Sequence, residues 1–360
     1  MLLLVYVVGY VLAAASEIWA IKEINYNFYA QVPTLSAMML NSYWPIQALI
    51  YWRVRQTQEP PERDGFPWYA YTVLGFSAGS VSTLRSIGIN ELDGVIYVIC
   101  SNTEVIFSAV LSVLVLKKRL NVYQISAVLL VLGAVIFAVW DPSRPGLGSA
   151  FDKARDSEHG QASHAQTMFI AGVTSTLASR LLSALNSILA EWFLGKNKKS
   201  TWCVQELPLV TAIVPSVLLP WSLIITKENT AEWGKLTRSD APGHAWGLIY
   251  FILLALSMAK LVDRQCKMNI IAEKSAVFFE GVDAMMKSVA GLGAYVFFYN
   301  IEKVDTKWND FIAMGVIVLA LGLTTYGEQV EKRREKYEQK FTLEEGQLRS
   351  PLLEGGGEDN

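Results

Sequence analysis

The chain has 360 residues, of which 52% are hydrophobic and 18% charged, with a formal net charge of −2. Runs of about twenty apolar residues recur along it, too many and too long for a soluble core. The balanced charge gives no footprint for a nucleic acid, and Cys100, Cys203 and Cys266 have no CxxC or disulfide-framework spacing.

The apolar runs predict ten transmembrane helices. Segment 1 is Leu2–Ile21; Ala13–Ala15 would suit a signal-peptide cleavage region, but no basic stretch precedes it and the apolar pattern resumes through Ile18–Ile21. Segment 2 is Val32–Tyr51, followed by a polar connector holding Pro60 and Pro61. Segment 3, Phe66–Ile87, has the small residues Gly75, Ser77, Gly79, Ser80 and Ser82, suited to close helix packing. Segments 4 and 5 are Gly94–Leu116 and Val122–Trp140. Residues 141–166, rich in Pro, Gly, Ser and charge, read as a polar linker. Segments 6, 7 and 8 are Thr167–Leu194, Val204–Ile225 and Trp246–Val262; segment 9 is Glu273–Tyr299 and segment 10 Phe311–Tyr326. The tail 329–360 opens as a charged helix and ends in a disordered, glycine-rich stretch.

The even-numbered connectors are the basic ones: Arg53, Arg55 and Arg63; Lys117, Lys118 and Arg119; Lys196, Lys198 and Lys199; Arg264 and Lys267. The positive-inside rule then places both termini in the cytosol. Five helices, a linker and five more predict a 5+5 chain, residues 1–140 and 167–328. The end of each half reads as helix, charged turn, aromatic-plus-amide (Tyr123-Gln124; Trp308-Asn309) and glycine-bearing helix. Aligning Ser108 with Ser288 brings Glu104 next to Asp283 in register. An odd number of helices per half makes the halves antiparallel, the inverted-repeat plan of secondary transporters.

Charge inside the apolar runs marks the candidate site. In segment 9, Glu280, Asp283 and Lys287 lie at i, i+3 and i+7 on one helical face, which continues through Ala290, Gly291 and Ala294. A charge at the bilayer centre costs roughly 2.5–3.5 kcal/mol on insertion scales, so such a stripe must face protein or a watery cavity. Segment 4 carries Ser101, Glu104, Ser108 and Ser112 on one face; segment 6 carries Thr176, Arg180, Ser183 and Ser187; segment 1 carries Glu17. Serines alone suit helix packing. Glu104, Arg180, Asp283 and Lys287 suit either ion pairs that lock the bundle or a polar cavity that meets substrate. Lys287 reads as the one lysine deep within a helix. Expected catalytic, metal and cofactor sites are none: every histidine falls in a predicted loop, which leaves no material for a zinc or histidine acid–base site, and Gly281-Val282-Asp283 lacks the full motif of an intramembrane aspartyl protease.

The junction Leu114–Gly133, with its charged pair, Leu120, Gln124 and glycine-bearing helix, resembles the recurrent turn of the drug/metabolite transporter superfamily, the ten-helix EamA-like fold. The superfamily's common acid in that turn is Lys118 here. Asn25-Tyr26-Asn27-Phe28-Tyr29 resembles an element of chloroquine-resistance-transporter-like proteins, although the cysteine-bearing loop some of those have is missing from Lys227–His244. The resemblance implies a secondary transporter of a small polar organic solute (amino acid, peptide, thiol or drug-like), with protons as the candidate coupling ion and an endomembrane location in vacuole, lysosome, Golgi or plastid. The superfamily's nucleotide-sugar antiporters are the alternative, with Arg180 and Lys287 as phosphate partners; a non-transporting scaffold or receptor is the third reading. The expected partners are the solute, the lipid bilayer and protons, with no nucleic acid; a homodimer is compatible. Leu352-Leu353 resembles a dileucine sorting signal.

Overall fold

The computed structural model of the chain describes residues 2–27, 40–58, 68–92, 94–139, 160–196, 201–226, 243–284 and 286–287, together with 308–309, 311–320 and shorter stretches up to 333. The expectations for Phe28–Tyr29, the central part of the linker, Ala290, Gly291, Ala294, His159 and the tail beyond 333 lie outside these residues or outside the side chains described. His164 and His244, expected in loops, instead fall in the first turns of two long helices, Gly160–Lys196 and Gly243–Glu273, which start earlier than the apolar runs.

The described residues are helical, with no strand among them. In chain order they form α1 (Leu2–Asn27), α2 (Trp44–Thr57), α3 (Trp68–Glu91), α4 (Gly94–Ser101), α5 (Thr103–Leu116), α6 (Val122–Val139), α7 (Gly160–Lys196), α8 (Thr201–Thr226) and α9 (Gly243–Glu273). Helical stretches at 276–284 and 311–320 follow. Helix α1 packs along α9; α3 packs against both α7 and α8; α5 packs against α7, and α2 against α8.

Among the described residues, many large apolar side chains face outward while a cluster of charged ones lies inside. Leu4, Leu12, Leu49, Phe76, Leu114, Leu129 and Phe251 are exposed, whereas Arg180, Lys260, Lys267, Asp283 and Lys287 are buried. A protein dissolved in water distributes these residue types the other way round. A run of 21 residues, Ile96–Leu116, is long and apolar enough to cross a bilayer; Leu3–Glu17, Val122–Phe137 and Phe311–Thr324 are shorter apolar helices. Composition alone does not pick out α9 as a span, because its middle carries Lys260, Asp263, Arg264 and Lys267.

That run corrects the sequence reading. Arg264 and Lys267 were expected in a connector between segments 8 and 9. Instead α9 is one helix of 31 residues that carries both, and both are buried. Lys287 is therefore not alone: Lys260 and Lys267 are each 4% exposed. Charges at i, i+3, i+4 and i+7 share one helix face, so they can be buried together without ending the helix.

Small residues let the helices approach. A Cβ on Gly75 would lie 2.3 Å from Val214 of α8. Gly75→Ala must push α3 from α8 and is expected to cost about 1–3 kcal/mol, read as a lower unfolding temperature of the purified protein; an unchanged temperature would refute this packing. Amide side chains bind other crossings. Gln265 of α9 donates to Gln47 of α2 (2.5 Å) and to Gln205 of α8 (2.7 Å), and Gln47 donates to the Gln205 carbonyl (2.9 Å). Such bonds hold helices together where water cannot compete.

The turn between α5 and α6 explains its own sequence. Lys117 adopts a left-handed conformation (φ 55°) that ends α5. Asn121 Oδ1 accepts the Gln124 amide (3.0 Å), while Gln124 Oε1 accepts the Asn121 amide (3.1 Å). This reciprocal capping box satisfies two otherwise orphaned N–H groups at the start of α6. Asn121→Ala is expected to cost about 1 kcal/mol, again read by thermal unfolding; no loss would mean the cap is not formed. Lys118, in place of an acid, pairs with Glu191 of α7, whose other oxygen accepts the Ala276 amide at 2.9 Å.

Candidate functional site

The site begins with an interruption in a helix. Between α4 and α5, Asn102 breaks the ladder: its N–H bonds the Ile99 carbonyl (3.1 Å), and the Val105 N–H turns to the Asn102 carbonyl (3.2 Å). In a regular helix Val105 would bond Ser101. The freed Ser101 carbonyl instead accepts Lys287 Nζ at 3.0 Å.

Glu104, on the first turn after the break, is the hub. Its Oε2 accepts Lys287 Nζ (2.8 Å) and Arg180 Nη1 (3.0 Å). Lys287 also pairs with Asp283, one turn earlier on its own helix, and Tyr10 of α1 donates to Asp283. Arg180 Nη2 donates to the Tyr97 hydroxyl, and its guanidinium lies 5.5 Å from the centre of that ring. Residues from α1, α4, α5, α7 and the 276–287 stretch thus meet in one buried network. Tyr10 also packs edge-on against Phe279, with ring centres 4.9 Å apart.

A second network faces the first. Glu17 of α1, fully buried, accepts Arg85 of α3 and Lys260 of α9, each at 3.1 Å. Lys260 also donates to Asp263 at 2.6 Å. Between the networks lies a cavity of about 40 Å³, lined by Arg85, Lys260, Asp263, Arg264 and Lys267 on one side and Glu104, Arg180, Asp283 and Lys287 on the other. One water needs only about 10–15 Å³ measured this way, so the cavity has room for a few waters. Ligand pockets run to about 300–1,000 Å³, so an organic solute does not fit in this state.

Of the residues singled out from sequence, Glu104, Arg180, Asp283 and Lys287 come together, and the Ser101 carbonyl joins them. Ser183 lines the same cavity. Glu17 reaches the cavity's other network. Ser108 and Ser112 are fully buried, with hydroxyls that find no partner among the described residues. Glu280 is 1% exposed, and neither of its oxygens has a described hydrogen bond. Glu104, Glu280 and Asp283 offer oxygens within 4.8 Å of one another, a spacing that could hold a metal ion. The Lys287 ammonium takes the cation's place there, bridging Glu104 and Asp283. Sequence reasoning missed Tyr10, Arg85, Tyr97, Lys260, Asp263, Arg264 and Lys267. The four on α9 did carry a signal: apolar residues flank them on both sides, so one face of an unbroken helix explains them as well as a connector does.

A family profile described as CRT-like, chloroquine-resistance transporter-like, matches residues 3–233. The chain belongs to the CRT-like family. That family lies within the drug/metabolite transporter superfamily, so this CRT-like protein is a transporter of the drug/metabolite type and an integral membrane protein. A solved structure titled only "Crystal structure of protein" is similar to it at 12% identity, covering 90% of this chain and 98% of its own, with a TM-score of 0.53. At that identity the likeness concerns the fold alone. No curated protein sequence matches the CRT-like chain.

Proposed function

We propose that this CRT-like protein is a secondary transporter that moves a small polar organic solute across an endomembrane by alternating access. The observation that carries the reading is the facing pair of buried charge networks, drawn from helices in both parts of the chain, around one small cavity. Buried ion pairs are weak stabilisers at best, so two of them around a cavity favour use over scaffolding. Ten spans in a 5+5 inverted repeat, with both termini cytosolic, would place that cavity near the bilayer midplane. The repeat is supported by two features. Glu104 and Asp283, matched in register, share Lys287. Val105, Ala127 and Val131 of the first half pack with Ala284, Met314 and Ile317 of the second.

Opening would separate the halves and enlarge the cavity to solute size. Protons are the coupling ion we favour, with Glu104 and Asp283 as candidate acceptors. Full-length protein in proteoliposomes, given a panel of amino acids, small peptides and nucleotide sugars, should show saturable uptake of at least one, increased by an imposed pH gradient. Uptake of none would remove the transporter reading in favour of a scaffold or receptor; uptake indifferent to the gradient would remove protons.

A further inference from the structure

The charges around the cavity do not balance, and the imbalance names a substrate class. Six cations line it (Arg85, Arg180, Lys260, Arg264, Lys267 and Lys287) against three carboxylates, Glu104, Asp263 and Asp283. Counting Glu17 and Glu280, which lie behind the lining, still leaves one positive charge in surplus. Four of the six cations are held by carboxylates at 3.1 Å or less: Arg85 and Lys260 by Glu17, Arg180 and Lys287 by Glu104.

The other two are not. Arg264 reaches no described carboxylate oxygen nearer than 3.9 Å, that of its chain neighbour Asp263. Lys267 has no described ion pair; its ammonium rests 4.4 Å from the centre of the Phe279 ring. Glu280 is near enough to attract it but makes no hydrogen bond. Both cations are at least nine-tenths buried and line the cavity, three residues apart on one face of α9. A buried cation without a hydrogen-bonded anion is costly, and an anion entering the cavity would relieve that cost.

We infer that Arg264 and Lys267 form an anion-binding subsite and that the solute carries a carboxylate or phosphate group. This rests on the proposed transport function for its role, but not for its test. Carboxylate and phosphate share the needed chemistry, negatively charged oxygens that a guanidinium and an ammonium can grip. A cationic solute would meet the surplus positive charge and be repelled. The same two residues give selectivity without contacting the rest of the solute, so chains of different shape with one anionic head can share the carrier.

The test uses full-length protein in lipid nanodiscs and three probes: succinate, glycerol 3-phosphate and choline. Succinate or glycerol 3-phosphate should raise the unfolding temperature saturably, and whichever is stronger tells carboxylate from phosphate; choline should not. Arg264→Gln and Lys267→Gln should each weaken that binding about tenfold or more, and Lys267→Arg should retain most of it, since removing one member of a buried charge contact is costly. If a glutamine variant does not fold, Lys267→Arg and the three probes on the unaltered protein still decide. Stabilisation by choline alone, by none of the three at millimolar concentration, or by an anion equally well in folded glutamine variants overturns the subsite. Proteoliposome flux separates this from the transporter reading: anion binding without flux keeps the subsite and removes transport, whereas choline flux without anion binding does the reverse.

Discussion

Glu104→Gln should both destabilise this protein and stop its transport, the largest single effect expected anywhere in the chain. One carboxylate oxygen accepts from Arg180 and from Lys287, whose side chains are 7% and 1% exposed. Removing a buried charge partner typically costs about 3–5 kcal/mol, because the charges left behind are uncompensated. Part of the loss is cushioned: Arg180 keeps the Tyr97 hydroxyl, and Lys287 keeps Asp283 and the Ser101 carbonyl. Glu104→Asp retains the charge on a shorter side chain and should lose less. Thermal unfolding of the purified variants reads this directly. A glutamine variant as stable as the parent would mean that Glu104 does not hold these two cations.

The paired substitution Asp283→Asn with Lys287→Met should give the opposite combination, a folded protein with no flux. Lys287 does more than neutralise the acid one turn before it, since it bridges to Glu104 and to the carbonyl at the helix break. With Asp283 and Lys287 changed together, no further buried charge loses its partner: Glu104 still has Arg180, and the amide that replaces Asp283 can still accept from Tyr10. Membrane insertion and unfolding temperature should therefore stay near the parent's, while solute uptake falls to that of empty vesicles. Lys287→Arg, which keeps the charge and alters its geometry, should retain part of the uptake. Normal flux in a well-expressed double variant would show that the pair only locks the bundle.

Much of this site could be read from the chain because its charges stand inside apolar runs, where their cost makes them conspicuous. Glu104, Arg180, Asp283 and Lys287 were each found in that way, and their helical spacing set which faces had to meet. The other half of the cavity was hidden by density. Arg264 and Lys267, just past an apolar run that ends at Val262, look like an aqueous connector, and the partner of Lys260 across space, Glu17, and the cavity itself show why the helix continues. Arg85 was hidden by position, close to the end of a small-residue helix where a basic residue would suit a membrane boundary. Tyr10 and Tyr97 could not be found from pattern at all, because an aromatic residue in an apolar run looks like packing until its hydroxyl is seen to meet a charged group. The break at Asn102 was equally silent: Gly94–Leu116 reads as a continuous apolar helix.

The interruption at Asn102 leaves the Ser101 carbonyl with a choice of two donors. In the present arrangement Lys287 is its donor, and the Val105 N–H is occupied one residue further along. Were the ammonium to withdraw, Val105 could return to Ser101 and close an ordinary turn, so neither backbone group would be stranded in a dry interior. A side-chain movement of a few ångströms is thereby exchangeable with a change in the course of a whole helix, at nearly constant hydrogen-bond number. A latch of this kind would tie the occupancy of a small polar centre to the course of the helix that begins at Thr103.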